Sequence, residues 1–211
     1  RARLLYAMLA PHRFGDRFFV PLAGRLDADG QSPFWNALGR KFFKMDFLEA
    51  ERLIEGARNR TLIVELMPHY PVYVPLLPGD AQAALGQIHP SGQMAFDLLT
   101  QEGFEADEYI DIFDGGPILQ AHRNALRAFC ASQRVRVAGF DAPPADTAAL
   151  VDYAVARVDG AFRAVTVRCA PLEHAQSVAL AREVQQALGV APGDEVVCLR
   201  IQANEGDQPC S

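Results

Sequence analysis

The stretch Tyr109-Ile110-Asp111-Ile112-Phe113-Asp114-Gly115-Gly116-Pro117 decides how this chain is read. Apolar and acidic residues alternate and then run into a Gly-Gly-Pro breaker. Tyr, Ile and Phe are strand formers, and a strand sends successive side chains to opposite faces. The pattern predicts a strand with Asp111 on one face and Ile110 and Ile112 on the other. Asp114 stands at the strand's exit, where the glycines permit unusual backbone angles. Two roles compete for these carboxylates. A carboxylate at the end of a buried strand can hold a cationic or amine ligand. Equally, Asp111 can face solvent while Asp114 caps a turn.

The chain's 211 residues suit one large domain or two small ones. Half are hydrophobic and 22% charged, an ordinary globular balance. A net charge of -6 and a pI near 5.4 argue against a nucleic-acid partner. No apolar run reaches the roughly 18 residues of a membrane helix, so no membrane partner is expected. Arg1-Ala2-Arg3 precedes only a short apolar patch broken by Pro11, which does not read as a secretory signal. The chain opens on Arg1 rather than Met and reads as processed, trimmed or partial. Cys130, Cys169, Cys198 and Cys210 have no metal-knuckle spacing. They read as free thiols of a cytoplasmic protein, with no metal site.

Working outward, Leu4, Leu5, Met8 and Leu9 recur at helical spacing until Pro11. Phe18 to Leu22 reads as a short strand, with Pro21 marking an edge or bulge. Asp27 to Gly30 is a turn. Ser32 is a good N-cap, with Pro33 at the first helical position before Phe34, Trp35 and Leu38. Helices are expected over 48–57, 81–85, 93–101, 119–131 and 175–188. Strands are expected over 61–66, 134–137, 151–158, 161–169 and 195–201. Asp159-Gly160 signals a hairpin. Residues 141–146 form a loop, and the last ten residues read as disordered.

Several spaced motifs, taken in order, resemble the arginine N-succinyltransferase family. They are Ser32-Pro33-Phe34-Trp35 with Leu38-Gly39 and Phe42-Phe43; Met45-Asp46-Phe47; Glu65-Leu66-Met67-Pro68 with Pro71; Gly86-Gln87-Ile88-His89-Pro90; Glu102-Gly103-Phe104; and the opening stretch. The resemblance is strong from Arg3 to Pro117 and weaker to about Ile201. It implies an α/β (α+β) fold: a Gcn5-related N-acyltransferase-like mixed sheet with helices, plus a small C-terminal α+β or barrel-like lobe. The division expected is 1–133 for the acyltransferase-like part and 134–211 for the lobe with its tail.

The resemblance further implies succinyl transfer from succinyl-CoA, a co-substrate rather than a covalently bound cofactor, to the α-amine of arginine. Amine attack on a thioester needs a neutral amine, charge stabilisation at the carbonyl oxygen and a proton for the leaving thiolate. The family's proton donor falls on His89, in a Gly- and Pro-bounded loop; His69 competes with it. Asp114, Asp111 and Glu65 are the carboxylates available for a guanidinium. Arg40, Lys41 and the helix after Ser32 are options for the succinyl carboxylate. The superfamily's basic Gly-containing phosphate loop is not found in residues 1–211 and is expected before Arg1. Pro21-Leu22-Ala23 departs from the family, which carries charged residues there. The family's paired subunits imply an oligomer with a copy of this chain or a related subunit. Two other functions remain open: a non-catalytic partner subunit that binds arginine or another chain, and a CoA-dependent N-acyltransferase for another amine.

Overall fold

The computed structural model describes residues 1–54, 65, 67, 69–139 and 150–202. Contacts divide it into two compact units. One comprises Arg1–Arg17, Gln101–Gly103 and the chain from His122 onward; the other comprises Phe18–Thr100 with Phe104–Ala121. The sequence division at 133/134 differs from this grouping for a packing reason. The first helix, α1 (Ala2–Leu9), buries Leu5 with Ala128, Ala154, Ala156, Val197 and Leu199. The chain's first residues therefore share a core with its last strands.

The second unit is built on a three-stranded sheet. Its strands are β1 (Arg17–Pro21), β2 (Glu105–Ile110) and β3 (Pro117–His122), in the order β1-β3-β2. β2 and β3 are antiparallel, pairing Ile110 with Pro117 and Tyr109 with Ile118, with an irregularity before Glu105 meets Gln120. The helix expected over 119–131 is therefore absent from its first half. The Gly-Gly turn returns the chain alongside β2, and Pro117, Leu119 and Ala121 alternate inward at the strand period. Only the short helix Arg127–Cys130 remains of that expectation.

Beside this sheet lie α2 (Pro33–Ala37), α3 (Gly39–Phe43) and α4 (Phe47–Ile54). The Ser32 hydroxyl accepts a hydrogen bond from Trp35 N at 3.1 Å, the N-cap its position predicts. Trp35 is fully buried, stacks on Phe43 at 5.4 Å and donates from Nε1 to the Met45 carbonyl at 3.2 Å. With Phe47, Ala50 and Met67 it forms this unit's core. Next come α5 (Gly79–Ala84) and α6 (Gln93–Glu102). The strand expected over 61–66, the loop over 141–146 and the C-terminal tail lie outside the described residues; Glu65, which is described, is helical.

The first unit carries a five-stranded sheet. Its members are β4 (Gln133–Ala138), β5 (Val151–Arg157), β6 (Ala164–Cys169), β7 (Ser177–Ala179) and β8 (Glu195–Arg200), in the order β6-β5-β8-β4-β7. All pairs are antiparallel except β4 with β7. The β5–β6 hairpin forms at the Asp159-Gly160 signal, with Gly160 at φ +85°. The helix expected over 175–188 is divided. Its first part is β7, and only Arg182–Leu188 is helical, closed by Gly189 in the left-handed conformation. Burial explains the split: Val178 and Leu180 enter the core from alternate positions, the period of a strand.

Among the described residues, no helix is long and apolar enough to cross a membrane, and no His/Cys/Asp/Glu cluster is placed to hold a metal. Among the described residues, Cys169 and Cys198 are free thiols. Burial pushes the Cys198 thiol up to about 12, with the Cys169 sulfur adding to the effect. The thiolate is the reactive form. A thiol reagent at pH ~8 should therefore leave Cys198 unmodified in the folded protein and label it once denaturant unfolds the chain. Labelling of Cys198 in native protein at the rate of a free peptide thiol would contradict this burial.

Candidate active site

Asp111, expected within a strand, lies just beyond β2, in the turn that joins β2 to β3. Asp111 N donates to Gly116 O at 2.7 Å, and Gly115 N donates to Asp111 O at 2.8 Å. Its carboxylate accepts from Phe113 N at 3.0 Å, and the residue is 8% exposed. The alternation that suggested a strand has another cause. Ile112 and Phe113 pack against the core of this unit, with Phe113 stacked on Phe47 at 4.9 Å and edge-on to Trp35 at 5.0 Å. Asp111 and Asp114 then close the turn around them.

Asp114 does more than cap. One carboxylate oxygen accepts from Gly116 N at 2.8 Å and the other from Gly24 N at 2.7 Å. The first bond is local; the second spans ninety positions of sequence. A glycine is required at both ends of this contact. A Cβ on Gly24 would stand 2.6 Å from Asp114 O, and one on Gly116 would stand 2.3 Å from Leu22 O. The backbone after β1 thus lies directly on the turn, and Leu22 N donates to Pro117 O at 3.0 Å.

The same segment holds the histidine. Gly24 and Ile88 form an antiparallel bridge, in which His89 N donates to Ala23 O at 2.8 Å and Arg25 N to Gln87 O at 3.0 Å. Gly86 N, at the end of α5, donates to Gly115 O at 2.8 Å. Three stretches therefore meet in one backbone knot: 22–25, 86–89 and 111–117. His89 and Asp114 are linked through two adjacent residues, Ala23 and Gly24.

His89 is half-buried and caps the 3₁₀ turn Pro90–Gly92. Its Nδ1 accepts from Ser91 N at 3.3 Å and lies 2.7 Å from Ser91 Oγ. An Nδ1 that accepts from a backbone amide places the proton of the neutral ring on Nε2. Nε2 has no hydrogen-bond partner among the described residues. The ring is thus held at Nδ1, with Nε2 left as the donor.

The other candidates lie elsewhere. Glu65 is exposed, and its backbone carbonyl meets His69 Nε2 at 3.0 Å. No hydrogen bond among the described residues joins Glu65 to the knot. Arg40 and Lys41 are exposed on α3. Sequence reading missed Gly24 and Ser91. Gly24 carried a faint signal, a glycine just after a strand ending in proline, but its partner is remote. Ser91 carried none beyond its spacing from His89.

Known proteins resemble this chain over most of its length. The family described as the arginine N-succinyltransferase beta subunit matches residues 1–128, which include every segment of the knot. The chain belongs to the arginine N-succinyltransferase family. It is 46% identical over 93% of its length to the Pseudomonas aeruginosa protein named arginine N-succinyltransferase subunit alpha, and that match covers 56% of the relative. It is 36% identical over 97% of its length to the Salmonella paratyphi B arginine N-succinyltransferase, covering 58% of that protein. The solved structure of arginine/ornithine succinyltransferase subunit AI from Pseudomonas aeruginosa superposes with a TM-score of 0.76 at 40% identity, covering 95% of this chain and 56% of that one. The α+β fold is thus that of a succinyltransferase subunit, and the chain spans a little over half the length of these relatives.

Asp114 supplies the test of the knot. Burial raises its carboxyl above the ordinary 3.8, against the opposing pull of the Gly24 and Gly116 amides, and Asp111 adds to the rise. The native state therefore keeps this proton to higher pH than the unfolded chain. The group's contribution to stability is full below 3.8 and is lost as pH rises through the raised folded value. Asp114→Asn should remove that pH slope from denaturant-unfolding curves taken between about pH 3 and about pH 7. It also sets an NH2 against a backbone N–H, and should cost ~1–3 kcal/mol. An unchanged midpoint would mean the Gly24 contact holds nothing.

Proposed function

We propose that this chain contributes the proton-donor segment of an arginine N-succinyltransferase, which moves succinyl from succinyl-CoA to the α-amine of arginine. The carrying observation is the hold on His89, with Nδ1 accepting from Ser91 N and Nε2 without a hydrogen-bond partner among the described residues. In the reaction, the amine nitrogen forms the new C–N bond and the thioester C–S bond breaks. The Nε2–H donates a hydrogen bond to the leaving sulfur as charge develops there, and the surplus proton shed by the attacking amine ends on that thiolate, so the ring finishes the cycle neutral as it began. Asp114, whose two carboxylate oxygens meet backbone amides, holds the segments that carry His89. Asp111 rigidifies the same turn, which leaves Glu65 as the more accessible carboxylate for a guanidinium.

This reading also assigns the C-terminal α+β lobe, the cytoplasmic location and the Gcn5-related character of the acyltransferase part. Assembly with a copy of itself or a related subunit fits the alpha and beta names of its relatives. Nucleic acid and membrane have no place in it. The partner-subunit reading rests on the same names, and the chain would then bind arginine or a second chain without turnover. The other-amine reading rests on the related solved structure, which is named for ornithine as well as arginine.

Thiol release from succinyl-CoA, measured with arginine, ornithine or neither, separates the three. Arginine-dependent release favours the first, release with ornithine or an unrelated amine the third, and arginine binding without release the partner subunit. His89→Ala should lower arginine-dependent turnover by roughly 10²–10⁴-fold with the fold intact. Normal turnover in that variant would end the proton-donor role.

A further inference from the structure

The first unit holds a pocket of about 400 Å³, remote in sequence from the motifs above. It opens between the C-terminal end of α1, the 3₁₀ turn Pro11–Arg13 and the β5–β6 hairpin loop. Tyr6, Leu9, Val158 and Phe162 form apolar and aromatic wall, with Tyr6 and Phe162 rings 5.0 Å apart. Arg13 and Arg157 line the same space, with His12 beside them, and no Asp or Glu does.

Charge distinguishes this pocket. The protein carries a net charge of -6, and several other arginines of this unit face carboxylates, as in Arg168–Asp152 and Arg134–Glu195. Arg13 and Arg157 do not: among the described residues neither makes an ion pair. Arg13 donates from Nη1 to the Tyr6 hydroxyl at 3.0 Å. Arg157 donates from Nε to the Asp159 backbone carbonyl and from Nη1 to the Leu188 carbonyl, the latter at 3.4 Å. All three acceptors are neutral groups. The bonds orient the two guanidiniums without cancelling their charge. The C-terminal end of α1 offsets only about half a unit of it, against two full positive charges.

Each guanidinium keeps unused donors. Arg13 has Nε and Nη2 beyond its bond to Tyr6, and Arg157 has Nη2. Nη2 of Arg157 lies against Gly160, whose lack of a Cβ keeps that approach open; a Cβ there would stand 2.7 Å from this nitrogen. Guanidinium donors match the planar oxygens of a carboxylate or the face of a phosphate. Volume and aromatic wall suit an organic body rather than a bare inorganic ion.

We propose that this pocket binds a small organic anion, its carboxylate or phosphate held by Arg13 and Arg157 and its apolar body against Tyr6 and Phe162. The site lies within one unit and involves none of the residues assigned to the transfer reaction, so it stands or falls independently of that function.

The test is a titration of the whole chain with benzoate and phenyl phosphate, followed by amide chemical shifts in two-dimensional NMR. Acetate and inorganic phosphate serve as headgroup-only probes. Saturable shifts at Ala10, Val158 and Gly160 are expected with the aromatic anions, and weaker ones with the headgroups alone. Which aromatic anion binds more tightly decides between carboxylate and phosphate. Arg13→Gln, which gives up only a bond to a tyrosine hydroxyl, should weaken binding at least about tenfold while leaving the spectrum of the free protein otherwise unchanged. Arg157→Gln should do the same; because Arg157 also ties the hairpin to Leu188, Arg13→Gln is the decisive variant. Three results would overturn the proposal: no saturable shift for either aromatic anion, shifts that map elsewhere, or an affinity that Arg13→Gln leaves unaltered.

Discussion

The site depends on one carboxylate that holds two backbone amides, one from its own turn and one ninety positions away in sequence. Asp114 joins Gly24 to Gly116. Around that contact the antiparallel bridge at Ile88 and the Gly86–Gly115 hydrogen bond close a small knot. The energetic logic is that of a buried polar group which must be satisfied or leave. A half-buried carboxyl is costly, and two short amide bonds offset much of that cost. The raised proton affinity of Asp114 shows that they do not offset all of it.

Steric exclusion works with this electrostatic contact. The strand exit, the segment before His89 and the hairpin turn lie so close that Gly24 and Gly116 leave no room for a side chain. Such a knot fixes backbone, and backbone fixes the histidine. His89 needs no carboxylate partner to choose its tautomer, because Ser91 N already makes the choice. The aromatic core of Trp35, Phe47 and Phe113 then anchors the turn from behind.

The sequence carried much of this, and its failures have physical causes. Ser32 and Pro33 announced the helix start correctly, because capping is local chemistry. The Asp159-Gly160 hairpin was legible for the same reason. His89 was found as a loop residue bounded by Gly and Pro, but nothing local showed that its backbone pairs with Ala23. The Asp111 strand was misread because apolar residues that anchor a turn in a core alternate with polar ones as strand residues do. The first parts of the helices expected over 119–131 and 175–188 gave way to strands because sheet partners remote in sequence, β1 and β4, outweigh modest helical propensity. The 133/134 division and the contact grouping part at α1, whose partners Val197 and Leu199 lie near the far end of the described chain.

That packing of α1 bears on the order in which the molecule folds. The unit containing α1 can form only when Arg1–Arg17 meets the chain beyond His122, with roughly a hundred residues between them. Closing so long a loop from a disordered chain costs about 4 kcal/mol of entropy in its length-dependent part alone. If the intervening unit folds first, its own compact body brings residues 17 and 122 together as neighbours on adjacent strands. The loop then no longer has to be closed by chance. The knot that holds His89 would in this way also serve as the early contact on which the rest of the chain assembles, and damage to it would slow the folding of a unit it does not belong to.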